Sequence, residues 1–106
     1  MRLTKKKAIQ IQIELFEHLE KTGGDFHDKG EWMSEHYEEV EDACALCDYN
    51  DKHTRKREES CGNCPYYTVF GYCCSYDAPF FKWYGSRNPG DRKKYTREIL
   101  EQLRQL

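Results

Sequence analysis

The sequence predicts a small α+β domain, with a helix at each end and an irregular region containing short strands between them. Three observations favour this class. Both ends of the chain show the apolar period of an amphipathic helix, glycine and proline punctuate the middle, and two Cys-x-x-Cys pairs lie in that middle region. With 106 residues, the chain is expected to form a single domain over residues 1–106.

The two terminal helices are indicated by their apolar periods and by their caps. The first is expected over residues 4–22, where Thr4 can cap the start and Gly23 can end the helix. The last is expected over residues 89–105, where Asn88 can serve as the N-cap immediately before a proline. Each helix therefore carries an apolar face that a core is expected to cover.

The region between these helices is expected to contain one more helix and then irregular chain. Trp32 and Val40 lie eight residues apart on one helical face, which predicts a helix over residues 29–42. Over residues 44–85 no helical period survives. Tyr, Thr, Val and Phe in the stretch YYTVFGY favour extended backbone, so short strands are predicted there.

The composition indicates that the fold needs more than an apolar core. Hydrophobic residues make up 38% of the chain and charged residues 34%, so aromatic side chains must supply much of the buried surface. A metal ion or disulfide bonds are the usual compensation in a domain with so thin a core. The net charge of −2 gives no general reason to expect a polyanionic partner.

The cysteine spacing indicates whether a metal ion or disulfide bonds should stabilise the domain. Cys44 and Cys47 form one Cys-x-x-Cys pair, and Cys61 and Cys64 form another. Two such turns can complete a closed tetrahedral site of four thiolates around Zn²⁺, as in a zinc knuckle or zinc ribbon. In a reducing compartment, paired motifs of this kind indicate metal rather than disulfides. The cysteine-rich region is therefore predicted to be organised by zinc.

Other uses of the cysteines are alternatives to this site. Cys73 or Cys74 could replace one of the four ligands, or both could be small buried side chains. An iron–sulfur cluster also accepts four thiolates, but the tight ferredoxin spacing is missing, and a redox pair lacks a βαβ pattern. A zinc deaminase would need an open metal position and a proline where this chain has Ala43. Because no nucleophile, base or open metal position assembles from the spacing, the protein is predicted not to be an enzyme and to have no small-molecule substrate.

The loop between the cysteine pairs is basic at its tip. Lys52, Arg55, Lys56 and Arg57 could contact phosphates there, which makes a nucleic-acid-binding zinc module the alternative function. Acidic residues flank the tip on both sides, so a solvated loop is the simpler interpretation.

Aromatic residues after the second cysteine pair are too many for a small core to bury completely. Exposed Tyr and Trp side chains are typical of protein interfaces. The interface candidates are Tyr66, Tyr67, Phe81, Trp83 and Tyr84. They favour a protein-binding module as the leading function.

The sequence gives no indication of a membrane span or of export. No apolar run approaches the roughly 18 residues that a span requires. Polar residues interrupt the apolar stretch near the N-terminus before it could serve as a secretory signal. A cytoplasmic protein without a membrane partner is therefore expected.

The order of these motifs resembles that of small uncharacterised proteins encoded by bacteriophages and prophages. The motifs that carry the resemblance are CALCDY, CGNCPYY, GYCC and PFFKWY, followed by an amphipathic helix, over roughly residues 5–105. The resemblance implies a phage origin, a place in the host cytoplasm and a zinc-binding cysteine framework. Small phage proteins of this kind often bind host proteins, including defence factors, so a host protein that the chain modulates or inhibits is the expected partner.

Overall fold

The computed structural model describes residues 3–40, 44–53 and 62–106, and every regular element in these ranges is a helix. In chain order the elements are α1 (Lys5–Thr22), α2 (Phe26–His36), α3 (Ala45–His53), α4 (Tyr67–Phe70), α5 (Pro79–Gly85) and α6 (Pro89–Leu103). The prediction of an α+β domain is therefore wrong, because the described residues contain helices and no strand.

The terminal helices α1 and α6 begin at side-chain caps. The Thr4 hydroxyl accepts a hydrogen bond from the Lys7 backbone N–H, and the Asn88 side chain accepts one from Asp91. Gly23 ends α1 with a positive φ of 70°, and its N–H donates to the Leu19 carbonyl. A Cβ at Gly23 would lie 2.8 Å from the Pro89 Cβ, so glycine also permits the close approach of α1 to α6.

The second helix starts earlier and ends earlier than the expected 29–42. Asp25 and Asp28 form a reciprocal capping box, and this box sets the start of α2 at Phe26. The helix ends at His36, and Val40 is buried beyond its end as part of the following turn. The apolar spacing of Trp32 and Val40 therefore reflects two buried side chains rather than one continuous helical face.

The cysteine-rich region contains helices where strands and irregular chain were predicted. The stretch expected to be extended contains α4, and Thr68 next to its start donates a hydroxyl hydrogen bond to the Pro65 carbonyl. Preference for strands depends on packing against a neighbouring strand, and the described residues offer none. The first Cys-x-x-Cys pair runs into α3, and the aromatic stretch after the second pair forms α5. A knuckle or ribbon architecture is therefore not what these residues adopt.

The core lies where α1 packs against α6 and α3, with α5 closing one end against α6. Ile11, Leu15 and Leu19 of α1 meet Ile99 and Leu103 of α6 in one buried cluster. Trp83 of α5 is among the largest fully buried side chains. In the part of the chain that the structure describes, no helix is both long and apolar enough to cross a membrane.

Candidate functional site

One cavity, of about 220 Å³, gathers four cysteines from separate stretches of the chain. Cys44 and Cys47 come from the start of α3, Cys64 precedes α4, and Cys73 follows α4. Apart from Gln12 and Lys29, the rest of the wall is aliphatic and aromatic. We call this the cysteine cavity.

The start of α3 gives Cys44 an environment that favours its thiolate. The Cys44 carbonyl accepts the first helical hydrogen bond, from Asp48, which places this cysteine at the N-cap. A hydrogen bond from the Cys47 thiol, the nearby Lys29 charge and the backbone N–H groups of Cys47 and Leu46 lower the pKa of Cys44 to about 6, although burial acts in the opposite direction. Thiolates are the form in which cysteine binds metal ions.

Gln12 ties α1 to the start of α3. Its amide oxygen accepts a hydrogen bond from the Ala45 backbone N–H at 3.1 Å, and its amide nitrogen donates to the Cys44 Sγ at 3.4 Å. The side chain is 3% exposed, so both contacts are made within the core. A residue that interrupts the apolar face of α1 in the sequence therefore orients one of the cysteines.

Lys29 of α2 brings a buried positive charge to the cavity wall. The residue is 2% exposed, and its Nζ lies 5.5 Å from the centre of the Phe26 ring and 5.2 Å from that of Phe80. Over residues 3–40, 44–53 and 62–106, Lys29 makes no ion pair with a carboxylate. Its charge acts on Cys44 instead.

The side-chain amides of Asn50 and Asn63 connect the residues just before Cys64 to α3. The Asn50 amide oxygen accepts the Asn63 backbone N–H at 2.7 Å, and the Asn63 amide donates to the His53 carbonyl at 2.9 Å. Asn50 is buried whereas Asn63 is exposed, so this link lies at the edge of the interior. Next to it, Cys64 is buried, and the Tyr66 hydroxyl donates to Gln102 of α6. Cys64 is therefore held between α3 and α6.

The structure separates the predicted ligands into three groups. Cys44, Cys47 and Cys64 line the cysteine cavity, and of the two alternative ligands Cys73 lines it, while Cys74 is exposed. Cys61 lies outside the described residues. Among the described residues, no three His, Cys, Asp or Glu side chains already stand in an arrangement that holds a metal ion.

The basic loop lies largely outside the described residues. Arg55, Lys56 and Arg57 fall in the range 54–61. Lys52 is described, and its Nζ pairs with the buried Asp48 carboxylate at 3.0 Å, one turn earlier on α3. This pair neutralises one of the four charges assigned to phosphate contacts, and the nucleic-acid interpretation otherwise stays a prediction.

The aromatic interface candidates divide between core and surface. Tyr66 and Trp83 are buried, so they belong to the core, and Tyr67 is half-buried. Phe81 and Tyr84 are exposed, one turn apart on α5.

Two further aromatic side chains extend this exposed pair. The Phe26 ring lies 5.3 Å from the Tyr84 ring, and the Tyr76 ring lies 5.9 Å from the Phe81 ring. Tyr76 is 87% exposed and Tyr84 is 59% exposed. We call Phe26, Tyr84, Phe81 and Tyr76 the aromatic strip.

No protein-family model, curated protein or solved structure matches this chain. The resemblance to phage-encoded proteins therefore stays a prediction. The class that the structure itself defines is a small helical domain with a cysteine cavity and an exposed aromatic strip.

Proposed function

We propose that this chain is a non-catalytic helical domain that binds Zn²⁺ in the cysteine cavity and presents the aromatic strip to a partner protein. The convergence of Cys44, Cys47, Cys64 and Cys73 on one cavity carries the proposal. Zn²⁺ prefers soft ligands, and four thiolates close a structural site without an open position for a reacting water.

The surroundings of the cavity support thiolates rather than inert packing cysteines. Cysteines that serve only as small apolar side chains need no nearby cation and no helix N-terminus. Here the start of α3, the Gln12 amide and the buried Lys29 charge all favour a negatively charged sulfur. These features favour a thiolate at Cys44 and support its role as a metal ligand.

We expect protein purified without added metal to contain about one equivalent of zinc by elemental analysis, because a closed four-thiolate site retains its ion. Cys44→Ser, Cys47→Ser and Cys64→Ser should each lose it, since serine is a poor zinc ligand. Comparison of Cys73→Ser with Cys61→Ser identifies the fourth ligand.

Cys74→Ser is the matched control, because Cys74 is exposed and adjacent in sequence to Cys73. It should retain its zinc. Less than about half an equivalent in the wild type, or retention of zinc by all three core variants, would contradict the site. A brown protein that contains iron and inorganic sulfide would indicate that the site holds an iron–sulfur cluster and not zinc.

The aromatic strip supports the protein-binding part of the proposal. Contiguous exposed aromatic side chains are typical of interface centres. Lys82 and Arg87 lie in the groove beside Tyr76 and Phe81, and neither makes an ion pair with any described carboxylate. The partner that suits this surface is a protein segment with apolar side chains and acidic neighbours, from a host protein if the chain is phage-encoded.

We expect photo-crosslinking from a position next to Tyr84 to capture a partner protein from host lysate. The capture should disappear when Tyr76, Phe81 and Tyr84 are all changed to Ser, because the strip supplies the buried contact. Lys82→Gln with Arg87→Gln should weaken it and reduce its dependence on salt.

Val69→Ser is the control variant for the capture, because Val69 is exposed but lies outside the strip. It should bind the partner like the wild type. A captured protein that binds the strip variant as strongly as the wild type would show that the strip is not its docking surface.

A further inference from the structure

We infer that Lys29 is the built-in counter-cation of the metal centre, a positioning residue that sets how tightly the cysteine cavity holds its ion. The inference rests on the proposed zinc site. Lys29 is 2% exposed in the wall of an otherwise largely apolar cavity, a position that the fold alone does not explain. Burying an ammonium group without a compensating charge is unfavourable.

No described carboxylate pairs with Lys29, and the charge of the expected centre would provide a partner for it. Four thiolates around Zn²⁺ leave a formal net charge of about −2. In a cavity walled by aromatic and aliphatic side chains, this negative charge is poorly screened and needs positive charge close by. Lys29 lines the same cavity, and its charge already acts on Cys44.

Two aromatic rings lie next to the ammonium group of Lys29. Its Nζ faces the Phe26 and Phe80 rings at 5.5 Å and 5.2 Å. Cation–π contacts stabilise a buried ammonium group without neutralising its charge. A carboxylate partner would instead cancel the positive charge that stabilises the thiolates. The arrangement therefore keeps the charge of Lys29 available to the cavity.

Lys29→Met tests this inference, because methionine retains the apolar stem and removes only the charge. We expect the zinc affinity, measured by competition with a chromophoric chelator, to fall by about 10-fold to 100-fold, the range seen for outer-shell partners of metal ligands. Lys29→Arg should restore most of the affinity. Lys21→Met, which removes an exposed charge at the end of α1, should leave the affinity unchanged.

Two readouts separate an electrostatic role from a packing role. With Co²⁺ in place of zinc, Lys29→Met should keep the wild-type thiolate-to-metal absorption at saturation, because the ligands are the same. The metal-free variant should resist urea at least as well as the metal-free wild type, since a buried charge has been removed. A packing role would instead lower both the stability and the affinity, and arginine would not restore them.

Wild-type affinity in Lys29→Met would overturn the inference and leave the zinc site intact. Failure of the wild type to bind zinc or cobalt would overturn the site itself. The two failures are therefore distinguishable in one set of titrations.

Discussion

If the cysteine cavity binds zinc as proposed, removal of that ion is expected to lower the midpoint temperature of unfolding by roughly 20 °C or more. Zinc binding supplies on the order of 10 kcal/mol in small metal-organised domains, which is comparable to the whole stability of an ordinary domain, about 5–15 kcal/mol. The helix that contains Cys47 and is preceded by Cys44, α3 (Ala45–His53), has nine residues. A helix this short is not stable by itself and depends on its contacts.

The measurement is thermal unfolding followed by circular dichroism, with and without a strong chelator, and with metal content checked by elemental analysis. Cys47→Ser should already melt like the chelated wild type and should not respond to the chelator. Cys74→Ser should respond like the wild type, because its side chain is exposed and does not line the cavity. Equal melting of zinc-loaded and verified metal-free protein would contradict the stabilising role.

The helices at the two ends of the chain were the predictable part of the fold. Their signals are local: Thr4 and Asn88 accept cap hydrogen bonds from residues three positions later, and Gly23 adopts the left-handed conformation that ends α1. The apolar faces of these two helices also pack on each other, so each supplies part of the surface that the other buries.

The middle of the chain was not predictable in the same way, because its conformation depends on tertiary contacts. The residues of α4 have side chains that favour strands, yet no strand in the described residues is available to pair with them. The cysteine pattern suggested a knuckle, whereas Cys44 caps a helix whose start is held by Gln12.

In the candidate site, too, some residues could be recognised from the sequence, and others only from the tertiary contacts. Cysteine spacing pointed to Cys44, Cys47 and Cys64, which line the cavity, because ligand type and spacing are visible in the sequence. Their ligation of zinc stays a prediction. Lys29 and Gln12 carry no such signal, since a lysine or glutamine within a helix is most often exposed. Only the packing of α1 against α2 and α3 shows that they face the cavity.

Trp83→Ala is expected to destabilise the protein by about 3–5 kcal/mol, the usual cost of removing a buried large aromatic side chain. Trp83 is 1% exposed, and its ring lies 5.6 Å from the Phe16 ring and 5.5 Å from the Phe80 ring. Its indole N–H donates to the Gly24 carbonyl at 3.3 Å, so the same side chain joins α5 to the turn after α1. Alanine would leave a cavity and one buried carbonyl without its donor.

Urea unfolding of the protein measures this cost as a shift in midpoint at constant slope. Tyr84→Ala is the matched control on the same helix, because Tyr84 is 59% exposed, and its effect should stay within about 0.5 kcal/mol. Trp83→Phe should fall between the two, since phenylalanine keeps much of the packing and loses the hydrogen bond to Gly24. Equal midpoints for Trp83→Ala and Tyr84→Ala would show that α5 does not depend on Trp83 to close the core.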